Sequence, residues 1–153
     1  MARGQGPAAA PRATRVSTGS SGRCRTSLWM NPKTVLVVDD HAPTRVGYAE
    51  FLRDCGYRVL EARHGGEAIL RVQGNQPDVV LIDIVMPVLD GVETAQWLRR
   101  HLASAQTRIL AVTACQSRTQ QERMRAVCDD LLLKPCAPGV IAERIRSLVE
   151  RAV

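Results

Sequence analysis

The feature that most constrains the fold of this chain is an apolar run that ends in two adjacent carboxylates. Val35 to Val38 are apolar, three of the four are β-branched, and Asp39 and Asp40 follow directly. A short, continuous apolar run is typical of a strand buried on both faces of a parallel sheet. Two acids at the end of such a strand repel each other, so their position indicates a site for a cation or a substrate.

Polar residues at the ends of three later apolar runs repeat this arrangement. The runs are Asp78 to Asp83, Arg108 to Ala114 and Asp130 to Pro135, and they carry Asp83, Thr113 and Lys134 at their ends. Another short strand is predicted at Arg58 to Ala62, and segments with helical spacing separate the five strands. The alternation predicts an α/β fold, with helices on both faces of a parallel sheet. Because parallel strands share a carboxyl edge, the polar residues are expected to gather there.

Five helices are predicted after the five strands. The first follows Asp40, carries Thr44, Tyr48, Phe51, Leu52 and Cys55 on one face, and ends at Gly56; the second covers Gly66 to Val72 and ends before Gly74. The third begins at the loop MPVLDG and ends near Leu102; the fourth covers Ser117 to Val127; the fifth covers Pro138 to Val153, with Val140, Ile141, Ile145 and Leu148 on one face.

The net charge of +6 is confined to the N-terminal segment. Residues 1–33 contain six of the 21 basic residues and no acid, whereas the rest of the chain has 15 basic and 15 acidic residues. A neutral domain behind a basic tail is weak evidence for a nucleic-acid-binding surface, so no direct DNA binding is expected. No apolar run approaches the roughly 20 residues that span a membrane, so the chain is expected to be soluble and to make no membrane contact.

The first 33 residues are rich in Gly, Ala, Pro, Ser and Thr and lack hydrophobic periodicity. We predict that residues 1–33 form a disordered tail and that residues 34–153 form one domain. The tail lacks the apolar stretch of a secretory signal, although its Arg-rich, acid-free composition is also that of a transit peptide. We favour an inert tail or an artefact of the start site or vector, with translation starting at Met30.

The five cysteines show neither a C-x-x-C pair nor a metal-ligand spacing with histidine. Such a scattered, odd set is typical of reduced thiols in a cytosolic protein. Cys115 and Cys136 are expected near the strand ends, where a redox role is an alternative to small buried thiols.

The residues expected at the sheet edge fit phosphoryl transfer. Converging carboxylates need a cation, and an oxygen-only site with room for water suits Mg²⁺. An aspartate is also a competent nucleophile, and a hydroxyl and an ammonium stabilise a transferring phosphoryl group. From Thr34 onward the chain has fourteen arginines and a single lysine, Lys134, so this compact ammonium at a strand end indicates a specific role.

Four motifs, VLVVDD, LIDIVMPVLDG, AVTA and LLLKP, occur in an order and spacing that resembles the receiver domain of bacterial two-component response regulators. The resemblance covers about Thr34 to Val153. It implies a flavodoxin-like, doubly wound sheet of five parallel strands in the order 2-1-3-4-5.

The resemblance also implies a role for each motif residue. Asp83 resembles the phosphoacceptor, and Thr113 the hydroxyl that bonds the phosphoryl oxygen. Lys134 resembles the cation that precedes a cis proline, here Pro135. The implied protein ligands of Mg²⁺ are Asp39, Asp40, Asp83 and the main-chain carbonyl of Val85.

A receiver domain implies a cytoplasmic protein that accepts a phosphoryl group from a histidine kinase or a histidine phosphotransfer protein. It is not classed as an enzyme, because it catalyses only its own phosphorylation and dephosphorylation. Since the chain ends one helix after Lys134, we expect a stand-alone receiver that signals to an unidentified downstream protein through protein contacts.

Three positions depart from the family pattern. Leu131 stands where an aromatic residue is usual, Val127 where a small residue is usual, and Cys136 where an aromatic residue follows the lysine and proline. These departures put in doubt the signal output through the face formed by the fourth helix, fifth strand and fifth helix, or leave it to packing alone.

These departures leave a pseudo-receiver, an interaction module that signals without phosphate, as the alternative. A phosphotransferase or phosphatase with an aspartyl phosphate usually carries both acids in one D-x-D strand end, unlike this chain. A flavodoxin-like redox carrier would have a phosphate-binding loop after the first strand, which this sequence lacks.

Overall fold

Five strands and five helices alternate along the chain. The computed structural model describes residues 31–101 and 106–151. The strands are β1 (Thr34–Val38), β2 (Arg58–Ala62), β3 (Val79–Ile82), β4 (Arg108–Thr113) and β5 (Asp130–Leu133). The helices are α1 (Ala42–Asp54), α2 (Gly65–Asn75), α3 (Gly91–His101), α4 (Arg118–Arg125) and α5 (Pro138–Glu150).

The strands form one parallel sheet in the order β2-β1-β3-β4-β5. This confirms the predicted fold class and strand order. The first connection places β2 on one side of β1, and the second places β3 on the other, so the chain changes direction at β1. In doubly wound sheets the crevice at such a switch point, outside the carboxyl ends of the strands, is where ligands bind.

Alternate residues of the central strands pack against different helical layers. Val35 and Val37 of β1 belong to an apolar cluster with residues of α1 and α5. Leu36 and Val38 belong to a second cluster, with residues of α2, α3 and α4. All four side chains are almost fully buried. The sheet therefore has an apolar core on each face, as the continuous apolar run predicts.

Helix α2 differs from its prediction. It continues through Gly74 to Asn75, whereas the sequence predicts that it ends before the glycine. A glycine inside a helix costs about 1 kcal/mol relative to alanine, and here the helix tolerates it. The helix ends instead at Asn75, and the following C-cap residue, Gln76, has a left-handed backbone (φ 46°) and donates its N–H to the Val72 carbonyl.

The buried face of α5 also differs from its prediction. Val140 was placed on the apolar face, but its side chain is 45% exposed. Ile141, Ile145 and Leu148 are buried as predicted, and they are joined by Ala142 and Val149. The buried face of α5 therefore includes Ala142 and Val149 and excludes Val140. Val140 lies in the first turn, at the edge of the contact between α5 and the sheet.

The predicted tail lies mostly outside the described residues. Residues 1–30 are among those that the structure does not describe, as are Leu102 and Val153 at the predicted ends of two helices. Among the described residues, Lys33 contacts the sheet one residue before the expected boundary. Its carbonyl accepts the Arg58 N–H at 2.9 Å, and its ammonium lies 3.2 Å from an Asp78 oxygen. None of the helices described is long and apolar enough to cross a membrane.

The loop between β3 and α3 folds tightly over the end of its strand. Gly91 donates its N–H to the Ile84 carbonyl at 2.8 Å, and a Cβ at this glycine would lie 2.0 Å from the Asp83 carbonyl oxygen. Only glycine therefore fits there. In the same loop Val88 is fully exposed and has a left-handed backbone, with φ at 69°. A β-branched residue in that region is strained.

We predict that Val88→Asn stabilises the protein. Asparagine tolerates the left-handed region, which costs other L-residues about 1–2 kcal/mol. Because the Val88 side chain is fully exposed, replacing it removes no packing contacts. Chemical denaturation should show the free energy of unfolding rising by about 1 kcal/mol. Val46→Asn is the matched control, since Val46 is an exposed valine in α1 and should give no gain. Equal effects of the two changes would contradict strain at Val88.

Candidate functional site

Three carboxylates meet at the carboxyl edge of the sheet. Asp39 and Asp40 follow β1, and Asp83 follows β3, the strand that pairs with β1 with Val38 opposite Ile82. One oxygen from each acid lies within 4.8 Å of the others. Asp39 is buried, Asp83 is half-buried and Asp40 is exposed. The register of two neighbouring strands thus brings together residues that are 44 positions apart in the sequence.

Lys134 is the cationic partner of this cluster. Its ammonium donates to an Asp39 oxygen at 2.9 Å and to an Asp83 oxygen at 3.0 Å. The peptide bond between Lys134 and Pro135 is cis, which confirms that expectation. Burial opposes the charge, but the hydrogen bonds to the two acids outweigh it and hold the pKa of Lys134 above its usual value. The stabilisation from these ion pairs is therefore fully present at neutral pH and is lost as pH rises through the raised pKa.

Main-chain N–H groups orient two of the acids. The His41 N–H donates to an Asp39 oxygen at 2.8 Å, and the Val85 N–H donates to an Asp83 oxygen at 3.1 Å. Among the described residues the Asp40 carboxylate has no such hydrogen bond. Its orientation therefore depends on the backbone that carries it.

The donor set fits a hard divalent cation. Three carboxylates and one ammonium leave two net negative charges in the cluster. Carboxylate oxygens with an exposed side suit Mg²⁺, which binds through one or two carboxylates and keeps several waters. Asp39, Asp40 and Asp83 could hold such an ion, and the Val85 carbonyl lies in the same loop as Asp83.

Thr113 ends β4 and is completely buried. Its hydroxyl oxygen accepts the Cys115 N–H at 3.0 Å, and its carbonyl accepts the Lys134 N–H at 2.9 Å. The structure therefore places the predicted hydroxyl at the same sheet edge as the acids, joined through the backbone to the lysine.

Two glutamines that the sequence analysis missed hold the loop after Thr113. The Cys115 thiol donates to the Gln120 side-chain oxygen at 2.8 Å, and the Gln121 amide donates to the Cys115 carbonyl at 2.6 Å. Both belong to the start of α4, where the Ser117 hydroxyl accepts the Gln120 N–H at 3.4 Å as the N-cap. These hydrogen bonds connect Thr113, through Cys115, to the first turn of α4. The sequence feature that could have indicated these two glutamines is the N-cap serine, Ser117, because it places both amides in the first turn of α4.

The residues that depart from the family pattern are accommodated by packing. Leu131 is buried in the apolar cluster with residues of α3 and α4. Cys136 is half-buried beside Tyr48 of α1, whose hydroxyl donates to the Cys136 carbonyl at 3.4 Å. Burial raises the pKa of the Tyr48 hydroxyl and of the Cys136 thiol. A raised thiol pKa leaves less reactive thiolate, which weakens the redox interpretation of Cys136.

Comparison with known proteins gives a consistent result. The family model described as the response regulator receiver domain matches residues 35–146. The polar-differentiation response regulator DivK from Brucella anthropi is 29% identical over 117 residues, which cover 76% of this chain and 95% of DivK. The chemotaxis protein CheY4 from Vibrio cholerae superposes with a TM-score of 0.72 at 30% identity, covering 77% of this chain and 99% of CheY4.

Longer proteins match as well. The response regulator MprA from Mycobacterium sp. is 36% identical over 121 residues, which cover 78% of this chain and 52% of MprA. The phosphate regulon transcriptional regulatory protein PhoB from Pseudomonas aeruginosa is 31% identical over 120 residues, covering 78% of this chain and 52% of PhoB. The chain thus spans about half the length of these two relatives.

We predict that Asp40→Asn abolishes the response to Mg²⁺ while the fold persists. Removing one of three converging negative charges relieves repulsion, so the variant should unfold at no lower temperature than wild type without metal. Mg²⁺ at about ten times its Kd should add about 1.4 kcal/mol to the free energy of unfolding of wild type, and nothing to that of the variant. Glu50→Gln, at an exposed acid of α1, should respond as wild type does. A circular dichroism spectrum that shows unfolded Asp40→Asn would make the acidic pair structural.

Proposed function

Because the chain belongs to the response regulator receiver domain family, we propose that it accepts a phosphoryl group on Asp83 from a histidine kinase or a histidine phosphotransfer protein. The observation that carries this proposal is the pair of hydrogen bonds from Lys134 to Asp39 and Asp83, beside a third carboxylate. This arrangement combines a nucleophile, a fixed cation and an acidic metal site in one crevice.

The reaction transfers phosphorus from nitrogen to oxygen. An Asp83 oxygen attacks the phosphorus of a phosphohistidine, the new O–P bond forms as the P–N bond breaks, and the donor imidazole leaves with its electron pair and takes up a proton. Positioning and charge supply most of the catalysis in such a transfer. A bound Mg²⁺ would neutralise the phosphoryl oxygens, with Asp39, Asp40, Asp83 and the Val85 carbonyl as its protein ligands.

Lys134 and Thr113 complete the proposed chemistry. The Lys134 ammonium lies 3.0 Å from an Asp83 oxygen. It can therefore stabilise the negative charge of a phosphoryl group that Asp83 accepts. The Thr113 oxygen accepts one hydrogen bond from the backbone, which leaves its own proton to be donated to a phosphoryl oxygen. These groups serve one transfer to the protein itself, so we do not class the protein as an enzyme, in keeping with the family.

The surface around the crevice supports a protein as phosphodonor. Six large apolar side chains are exposed among the described residues, and four of them lie at a strand end, in a loop or in a first helical turn at the carboxyl edge of the sheet. These four are Val85 and Val88 in the loop after β3, Leu133 at the end of β5 and Val140 in the first turn of α5. Apolar side chains around a polar centre are typical of a protein interaction site.

We further propose that the receiver acts in the cytoplasm as a stand-alone regulator, through contacts with a downstream protein and without direct DNA binding. The matches over 95% of DivK and 99% of CheY4 support this, because both proteins have the size of one receiver. Leu131 supports the pseudo-receiver as the alternative, since it replaces the aromatic residue usual in the family. The complete set of site residues supports phosphorylation.

Phosphorylation of the Asp83 variant tests which residue is the nucleophile. Wild type incubated with acetyl phosphate and Mg²⁺ should gain the mass of one phosphoryl group in an intact-mass spectrum, and Asp83→Asn should gain none, because an amide is not a nucleophile toward phosphorus. Asp54→Asn, at an exposed acid in the last turn of α1, is the control and should be phosphorylated normally. Phosphorylation of Asp83→Asn would refute the assignment, and an unmodified wild type would favour the pseudo-receiver.

The second prediction concerns the lifetime of the aspartyl phosphate. Hydrolysis needs a water held in line with the Asp83–phosphorus bond, and in the family the side chains at the positions of Val85 and Cys115 lie beside that water. Valine has no polar atom, and the thiol of Cys115 already donates to Gln120. We therefore expect slow autodephosphorylation.

Placing polar groups at both positions should shorten that lifetime. The double change Val85→Asn with Cys115→Glu should speed hydrolysis by about tenfold or more, equivalent to roughly 1.4 kcal/mol of barrier. Decay of the phosphorylated mass provides the measurement, and Val88→Asn in the same loop serves as the control. A wild-type lifetime of seconds that the double change leaves untouched would mean that another group holds the water.

A further inference from the structure

We propose that Arg45 is a positioning residue for Asp40, and that it sets the Mg²⁺ affinity of the site through the backbone. The inference rests on the metal site described under the proposed function, and it adds a residue that touches neither the ion nor the phosphoryl group. Its basis is a contact between the Arg45 guanidinium and the peptide that carries Asp40.

The Arg45 guanidinium joins the end of β1 to β2. Its Nη1 donates to the main-chain carbonyl of Asp39 at 2.9 Å, and its Nε donates to a Glu61 carboxylate oxygen at 3.3 Å. The Arg45 side chain is 11% exposed, although it belongs to an otherwise solvated part of α1. A guanidinium held at two points and largely buried is fixed in place.

The contact acts on Asp40 because of where the carbonyl belongs. The Asp39 carbonyl is part of the planar peptide unit that joins Asp39 to Asp40. A hydrogen bond to that oxygen therefore fixes the plane, and with it the direction in which the Asp40 side chain leaves the backbone. Asp39 and Asp83 are held by their own hydrogen bonds, whereas the exposed Asp40 carboxylate has none among the described residues.

Glu61 makes this arrangement compatible with cation binding. An arginine next to a metal site would repel the ion, but the Glu61 carboxylate offsets part of the guanidinium charge. The same carboxylate also pairs at 2.9 Å with Arg53, in the last turn of α1, and this second contact holds Glu61 from its other side. Lysine could not replace Arg45, since a single ammonium cannot hold the carbonyl and the carboxylate in the same planar geometry.

The test compares the Mg²⁺ affinity of Arg45→Lys with that of wild type. Amide chemical shifts of the turn after β1, followed during a Mg²⁺ titration of the full chain, give the affinity without any phosphodonor. Loss of a group that orients a metal ligand typically weakens metal binding by about tenfold or more, and we expect about tenfold for Arg45→Lys. At saturating Mg²⁺ the rate of phosphorylation by acetyl phosphate should return to near the wild-type rate.

Arg53→Lys is the matched control. It changes the same residue type, in the same helix, at a second partner of Glu61, and it also conserves charge, but Arg53 makes no contact with Asp39. Its Mg²⁺ affinity should equal that of wild type. Equal affinities for Arg45→Lys and wild type would overturn the inference, as would tighter binding by Arg45→Met, which would show that Arg45 acts only through its charge.

Two further outcomes are distinguishable. If Arg45→Lys does not fold, Glu61→Gln removes the carboxylate that fixes the guanidinium and should weaken Mg²⁺ binding by a smaller factor; unchanged affinity would overturn the inference. If wild type binds Mg²⁺ but is not phosphorylated, the proposed function fails while the titration still decides the role of Arg45. A wild type that binds no Mg²⁺ overturns the inference.

Discussion

The hydrogen bonds from Lys134 to Asp39 and Asp83 are the interaction on which the site depends. They join the segment after β5 to the ends of β1 and β3, two strands that lie beyond β4 in the sheet. Without a cation, three carboxylates within 4.8 Å of one another would repel. The ammonium offsets part of this repulsion by binding Asp39 and Asp83. The remaining negative charge and the exposed Asp40 leave room for a metal ion. The crevice thus offers carboxylate oxygens to a cation and an ammonium to an anion.

Most of the fold follows from the strands, which the sequence predicts well because a sheet covered on both faces requires continuous apolar runs. The runs at Val35 and Val79 and the polar residues after them located the sheet edge, and the structure brings Asp39, Asp83 and Lys134 together there. Helix boundaries were predicted less well. Gly74 predicts the end of a helix, yet a single glycine costs only about 1 kcal/mol, which the packing of α2 can offset. The sequence predicts Val140 on the apolar face of the last helix, because apolarity alone does not tell how far a helix face extends.

The residues that the sequence did not reveal act through the backbone or through side-chain hydrogen bonds. Arg45 is one of fourteen arginines after Thr34, and nothing in its neighbours marks it as the one that reaches the Asp39 carbonyl. Gln120 and Gln121 lie in a polar helix where an amide is unremarkable, yet together they hold the loop after Thr113. Tyr48 was predicted only as part of an apolar face, and its hydroxyl contact with the loop at Cys136 depends on a tertiary approach. Such contacts carry no periodicity, so a single sequence cannot display them.

Strand β1 serves both apolar cores at once, with Val35 and Val37 on one side and Leu36 and Val38 on the other. A change in the length of β1 would therefore disrupt both apolar clusters. Inserting or deleting one residue within it would move the side chains between the change and the strand end to the opposite layer, and would also turn the acidic pair away from Asp83 and Lys134. The turn at the opposite edge of the sheet, around Gln76 and Pro77, has no such coupling to the acids. Length changes among descendants of this chain should therefore accumulate at the amino edge of the sheet and be absent from β1.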